Sequence, residues 1–138
     1  MRYLIIIKAS DASEAGVPPT PALIEQMTAF HQTLAREGVL LDAAGLLPSR
    51  HGWRIRHQGG ARTLAVGPFT PSNGLIAGYT LIEARSDEEA REWSMRYPNP
   101  AGADGSTEIE VRPLMQVDCM PPDDDALHES VQQGQRPS

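Results

Sequence analysis

The segment Arg62–Glu83, RTLAVGPFTPSNGLIAGYTLIE, constrains this chain more than any other. Two apolar runs, Thr63–Val66 and Leu75–Ile82, flank the turn-rich Gly67-Pro68-Phe69-Thr70-Pro71-Ser72-Asn73-Gly74. Proline fixes φ and removes an amide donor, and Asn-Gly favours positive φ, so no helix runs through these eight residues. The flanks therefore read as strands. The middle reads as a shaped loop that presents one exposed aromatic, Phe69.

Upstream, Met1–Lys8 is a near-continuous apolar run of strand length, which suits a strand buried on both faces; Ser10–Ser13 bounds it and a loop with Gly16, Pro18 and Pro19 follows. Thr20 can cap a helix with Pro21 at its first position. Leu23, Met27, Phe30 and Leu34, spaced 4, 3 and 4 apart, form its apolar face, and Glu37-Gly38 ends it. Val39–Leu47 reads as a strand broken or bent at Ala44-Gly45. Trp53–His57 alternates bulky apolar with basic residues, the period of a half-exposed strand. Gln58-Gly59-Gly60-Ala61 turns it back into Arg62–Val66.

Downstream, Ser86-Asp87-Glu88-Glu89 has the pattern of a capping box, in which Glu89 reaches back to the serine amide. Ala90, Trp93 and Tyr97 make the stripe of that second helix, and Pro98 stops it. Glu108–Val117 alternates until Pro113, which places this strand at a sheet edge. From Pro121 to Ser138 the composition is mostly Pro, Asp, Gln, Ser and Gly, too polar to offset its ordering entropy. The expected division is a domain over 1–118 and a flexible tail over 119–138.

The order β-α-β-(ββ)-β-α-β sets two helices against one antiparallel sheet, an α+β two-layer sandwich of the ferredoxin-like kind with an added β-hairpin. Two helices cover one face of four strands. The other face calls for a second copy, so a homodimer is expected. Net charge of −6 disfavours nucleic acid or an anionic membrane as partner. The single cysteine, Cys119, excludes an internal disulfide, and the first apolar run, Tyr3–Ile7, is too short for a signal-peptide core. A cytoplasmic protein without membrane contact is expected.

Four ordered segments resemble one family: YLIIIKASDASEAGVPPTPALIEQM, GVLLDAAGLLPS, VGPFTPSNGLIAGYTLI and PNP…EIEVRPL are similar to YCII-related (YciI-like) proteins of the DGPF subgroup over roughly residues 1–118. The resemblance implies a dimeric α/β barrel of ferredoxin-like protomers. It also implies kinship with bacterial proteins that are mostly uncharacterised, some acting on small aromatic or chlorinated molecules, and often found beside extracytoplasmic-function sigma factors. The chain departs from the subgroup pattern at Val66, where the motif has Asp. It departs again at Met27, where the YciI branch has a helical His paired with an Asp.

Candidate chemistry is sparse. His31 borders the apolar stripe of the first helix and can reach Asp42 across the helix–strand gap, forming an acid–base pair; the bland reading is a boundary histidine with a backbone or water partner. Lys8 ends the first strand and can meet an anionic substrate, or simply snorkel to solvent. Arg54 and Arg56 share a hairpin face and can hold a carboxylate. Pro68, Phe69 and Tyr79, with Trp53 further out, can line an apolar pocket with a polar handle, or serve core and interface packing. His51 and His57 lack ligand spacing, Asp123–Asp125 lacks a coordinating loop, and Gly59-Gly60 lacks a phosphate-loop Lys, so no metal or cofactor is expected. Three functions stay open: a small-molecule-binding homodimer performing cofactor-free elimination or isomerisation, a non-catalytic binding or regulatory module acting with a sigma-factor system, and a structural dimer whose Gly67-Pro68 motif only shapes the fold.

Overall fold

The structure, a computed structural model, describes residues 1–70, 74–102 and 105–116. Its elements run β1 (Arg2–Lys8), α1 (Asp11–Glu14), α2 (Pro21–Arg36), β2 (Leu40–Gly45), a 3-10 turn (Ser49–His51), β3 (Trp53–Gln58), β4 (Ala61–Val66), β5 (Ile76–Glu83), α3 (Asp87–Met95) and β6 (Ile109–Pro113). The main sheet has the order β2-β5-β1-β6, with every neighbouring pair antiparallel, and β3 and β4 pair separately as a hairpin. This is a mixed α+β architecture compatible with a ferredoxin-like fold, the hairpin being inserted between β2 and β5.

Local chemistry explains the elements. Thr20 Oγ1 accepts from the Leu23 amide at the start of α2, Pro21 occupies the first turn, and Gly38 follows the helix at φ +74°. Ser86 Oγ caps α3 by accepting from the Glu89 amide. The return half of the expected capping box is absent. The Glu89 carboxylate instead accepts from Arg85, through its backbone N at 3.3 Å and its Nε at 2.9 Å. The Ser10–Ser13 stretch that bounds the first strand opens the short helix α1, closed by reciprocal Ser10–Ser13 side-chain caps.

The core lies between the sheet and the helices. Tyr3 and Ile5 of β1, Thr80 and Ile82 of β5, Phe30 and Leu34 of α2, Ala90 of α3 and Tyr97 are all buried. Ile109 and Val111 of β6 pack against the same cluster from the sheet edge. Because strand side chains alternate, Leu4, Ile6, Tyr79 and Leu81 point to the opposite face, where they are half-buried. β1 is thus buried on one face, not on both as its composition suggests. β2 ends at Gly45, the place of the expected break or bend, and the hairpin is exposed on both faces. Pro71, Ser72 and Asn73 of the loop, Val117 of the expected last strand and the segment 119–138 lie outside the described residues.

Leu34 is fully buried beside Ile5 and Ile82. Leu34→Ala is expected to lower unfolding free energy by about 2–5 kcal/mol in urea denaturation followed by circular dichroism.

Candidate functional site

The open face of the sheet carries a phenol–carboxylate pair. Tyr79 O–H donates to Asp42 Oδ2 at 3.0 Å, while the Ala43 amide donates to Asp42 Oδ1 at 2.9 Å. Asp42 is cross-strand from Leu81 and one diagonal step from Tyr79, with Leu4 beside Leu81 and Ile6 beside Tyr79. The hydrogen bond to Asp42, reinforced by its negative charge and by partial desolvation, raises the Tyr79 phenol above its ordinary value. An acceptor and a donor therefore stand side by side on apolar ground, the composition of a small-ligand site.

Lys8 of β1 turns toward the opposite edge of the sheet, at β6, and is committed there. Its Nζ lies 3.2 Å from Glu110, which Arg112 also meets at 3.1 Å. Hydrogen bonds from these two cations, Arg112 first, hold the Glu110 carboxyl below the usual carboxylate range.

The loop expected to shape the site is anchored from below. The Gly67–Pro68 bond is cis, and a Cβ at Gly67 would lie 1.9 Å from the Ser49 carbonyl oxygen. No side chain fits there, which accounts for the glycine. Ser49 Oγ accepts from the Phe69 amide at 3.0 Å and donates to Glu14, whose other oxygen accepts from the Ser49 amide at 2.9 Å. These bonds, the Ser49 hydroxyl first, lower the Glu14 carboxyl from its ordinary value. Phe69 is half-buried instead of exposed, with the Arg54 guanidinium 4.0 Å from its ring centroid. Glu14 and Ser49 were not singled out from the sequence. The serines of Ser10-Asp11-Ala12-Ser13 were the one available sign of a cap that would position Glu14.

His31 stands elsewhere. Its Nδ1 lies 2.8 Å from the Met27 carbonyl oxygen, which can only accept, so Nδ1 carries the proton. Its Nε2 lies 2.9 Å from Thr80 Oγ1, which in turn lies 3.2 Å from the Tyr97 hydroxyl. A consistent donor chain runs from Tyr97 through Thr80 to His31. Burial raises the Tyr97 phenol, against a smaller lowering by the Thr80 bond. Thr80 faces the helices and Tyr79 faces away from them, so the expected His31–Asp42 pair does not form. The cause is a register shift between Leu40 and Asp42: Leu40 opposes Ile82 on the core face, but Asp42 opposes Leu81 on the open face. In an unbroken strand the two would share a face.

The seven expected site residues thus fall into four places: Asp42 with Tyr79, Arg54 with Pro68 and Phe69, Lys8 with Glu110, and His31, half-buried, at the border of the core. A shallow open groove of about 650 Å³ lies on the helix side, lined by Val39, Trp93, Met95 and charged side chains. Among the described residues no three His, Cys, Asp or Glu side chains gather where a metal ion could be held, and no helix is long and apolar enough to cross a membrane.

The family model for the YCII-related domain matches residues 1–115. The chain belongs to the YCII-related family. A protein of Rhizobium meliloti (strain 1021), itself described as uncharacterised, is 28% identical over 92 residues, covering 67% of this chain and 73% of that protein. The span matched by the family model takes in every strand and helix described above, with the Asp42–Tyr79 pair and the loop at Phe69 inside it.

Because the Glu14 carboxyl is lowered on folding, the unfolded state binds its proton more tightly. The Glu14 contribution is complete above the ordinary glutamate value of about 4.3 and is lost as pH falls through the folded value. Glu14→Gln is expected to flatten the acid limb of the stability–pH curve measured by thermal unfolding.

Proposed function

We propose that this YCII-related protein is a homodimer that binds a small aromatic hydroxy compound on the open face of its sheet, with Asp42 and Tyr79 as the polar handle. The observation that carries this reading is the Tyr79–Asp42 hydrogen bond set among Leu4, Ile6 and Leu81 on a face that the helices leave uncovered. Pairing with a second copy in a dimeric α/β barrel would exclude water from that face, strengthening every polar contact on it. Asp42 is placed to accept a ligand hydroxyl or abstract a proton, and Tyr79 to return one, which suits cofactor-free elimination or isomerisation. Gly67-Pro68-Phe69 supports membership of the DGPF branch of the family, with Val66 standing where that motif has Asp.

A second reading, a binding module without catalysis, is favoured by His31. Both its ring nitrogens are engaged, by the Met27 carbonyl and by Thr80, and the family's helical histidine position holds Met27.

A thermal-shift screen against phenols, catechols and benzoates separates the outcomes. At ~100 times its dissociation constant a ligand adds about 2.7 kcal/mol of stability. Catechols are expected to raise the midpoint and benzoates are not, since a benzoate would meet the Asp42 carboxylate. Asp42→Asn and Tyr79→Phe are expected to remove the catechol shift. A flat response across all three classes, or shifts unaffected by both substitutions, overturns the assignment. Turnover of a bound catechol lost in Asp42→Asn supports the catalytic reading over the binding module.

A further inference from the structure

No Asp or Glu stands between Asp42 and Glu83, whereas Arg50, Arg54, Arg56 and Arg62 all do. The net charge of −6 therefore hides a basic arm on an acidic chain. The β3–β4 hairpin lies within that stretch. On one of its faces Trp53 stands opposite Val66 and Ile55 opposite Leu64. They are 64%, 69%, 47% and 60% exposed, respectively. Arg62, opposite His57, shares that face, and Arg54 and Arg56 lie on the reverse. Among the described residues none of these three arginines forms an ion pair. Glu14, which reaches the foot of the hairpin, is taken by Ser49. A two-stranded ribbon needs a further layer to be stable in water, and here that layer has to be apolar and acidic together.

One segment of this chain has that composition. Residues 117–138 carry Asp118, Asp123, Asp124, Asp125 and Glu129 against Arg136, with Met120, Leu127 and Val131 among them. By itself the segment is too polar to offset its ordering entropy, and an apolar seat flanked by arginines supplies what it lacks. The Leu114 amide donates to the Arg2 carbonyl, so the chain leaves β6 at the Met1 end of β1. The hairpin springs from the other end, since β2 finishes at Gly45 beside Gly78, which pairs with Ile7. β1 is 7 residues long, so the two ends lie about 23 Å apart at about 3.3 Å per residue. An extended run from Val117 to Asp125, stiffened at Pro121-Pro122, covers that distance. The groove on the helix side also holds arginines, Arg85, Arg91 and Arg96, but Glu37, Glu89 and Glu92 line it with them. Its cations are matched, and those of the hairpin are not.

We infer that residues 117–138 fold back on the hairpin of their own chain as a strap, laying Leu127 and Val131 on the patch of Trp53, Ile55, Leu64 and Val66 and setting the acidic side chains against the hairpin's arginines. Neither Asp42 nor Tyr79 takes part, so the strap stands independently of the ligand reading above.

Paramagnetic broadening in the full chain tests it. A nitroxide is attached at Ser130→Cys in a Cys119→Ser background, and the amide signals of the isotope-labelled protein are recorded before and after the nitroxide is reduced. Loss of the Trp53–Val66 signals, recovered on reduction, is expected. Asp123→Asn, Asp124→Asn and Asp125→Asn together are expected to restore those signals without reduction, as is salt at about 1 M, which cuts the screening length to about 3 Å. Loss that survives both treatments overturns the charge pairing on which the strap rests. Hairpin signals that stay intact throughout overturn the strap itself. Broadening confined to Trp93, Met95 and Arg96 puts the segment in the helix-side groove and overturns it as well. A mixture of isotope-labelled chain without nitroxide and unlabelled chain carrying it separates the copies. Intact hairpin signals in that mixture support a strap within one chain, and their loss assigns the segment to a second copy and overturns it.

Discussion

Ile5, Leu34 and Ile82 meet with no exposure to solvent, and the other contacts of the fold follow from that meeting. It commits one face of β1 and β5 to the helices. By strand alternation, the same step turns Leu4, Ile6, Tyr79 and Leu81 outward. A sheet with helices on one side only has a core and an open face, and each candidate residue of the sheet belongs to one or the other. Thr80 and Tyr79 are neighbours in sequence, yet Thr80 is sealed in a chain with His31 and Tyr97 while Tyr79 meets Asp42 on the far side.

Two close backbone approaches then place the remaining groups. Gly67 lies against the Ser49 carbonyl, and Ser49 in turn links the Phe69 amide to Glu14, so the loop, the 3-10 turn and α1 hold one another. At Gly78 a Cβ would come within 2.8 Å of the Ala44 carbonyl oxygen, so β2 sits tightly against β5 at the end of the sheet nearest that loop. Phe69 and Arg54 are fixed near this end, and Asp42 and Tyr79 further along the face. The apolar face of the hairpin, with Trp53, Ile55, Leu64 and Val66, stays exposed among the described residues.

Much of this was legible in the chain. The α2 stripe of Leu23, Met27, Phe30 and Leu34, its Thr20-Pro21 start and its glycine stop are local signals, and local signals survive folding because they depend on near neighbours only. The Trp53–Val66 hairpin and the edge position of Ile109–Pro113 are of the same kind. Less legible was α1, since four residues closed by two serines carry too weak a period to register.

The sequence by itself determined the order of the strands and the two longer helices, the strand–loop–strand at Phe69, the α+β class and the polar and apolar sides of α2 and α3, because periodicity and turn chemistry act over a few residues. Only the tertiary structure decided which residues meet. The extra residue at Leu41 shifts β2 against β5 and moves Asp42 from the side of His31 to that of Tyr79. Such a shift reflects how two strands distant in sequence fit together, and no pattern within either strand encodes it. The same holds for Glu14 and Ser49, 35 positions apart, which are joined by a hydrogen bond whose existence depends on where β2 ends.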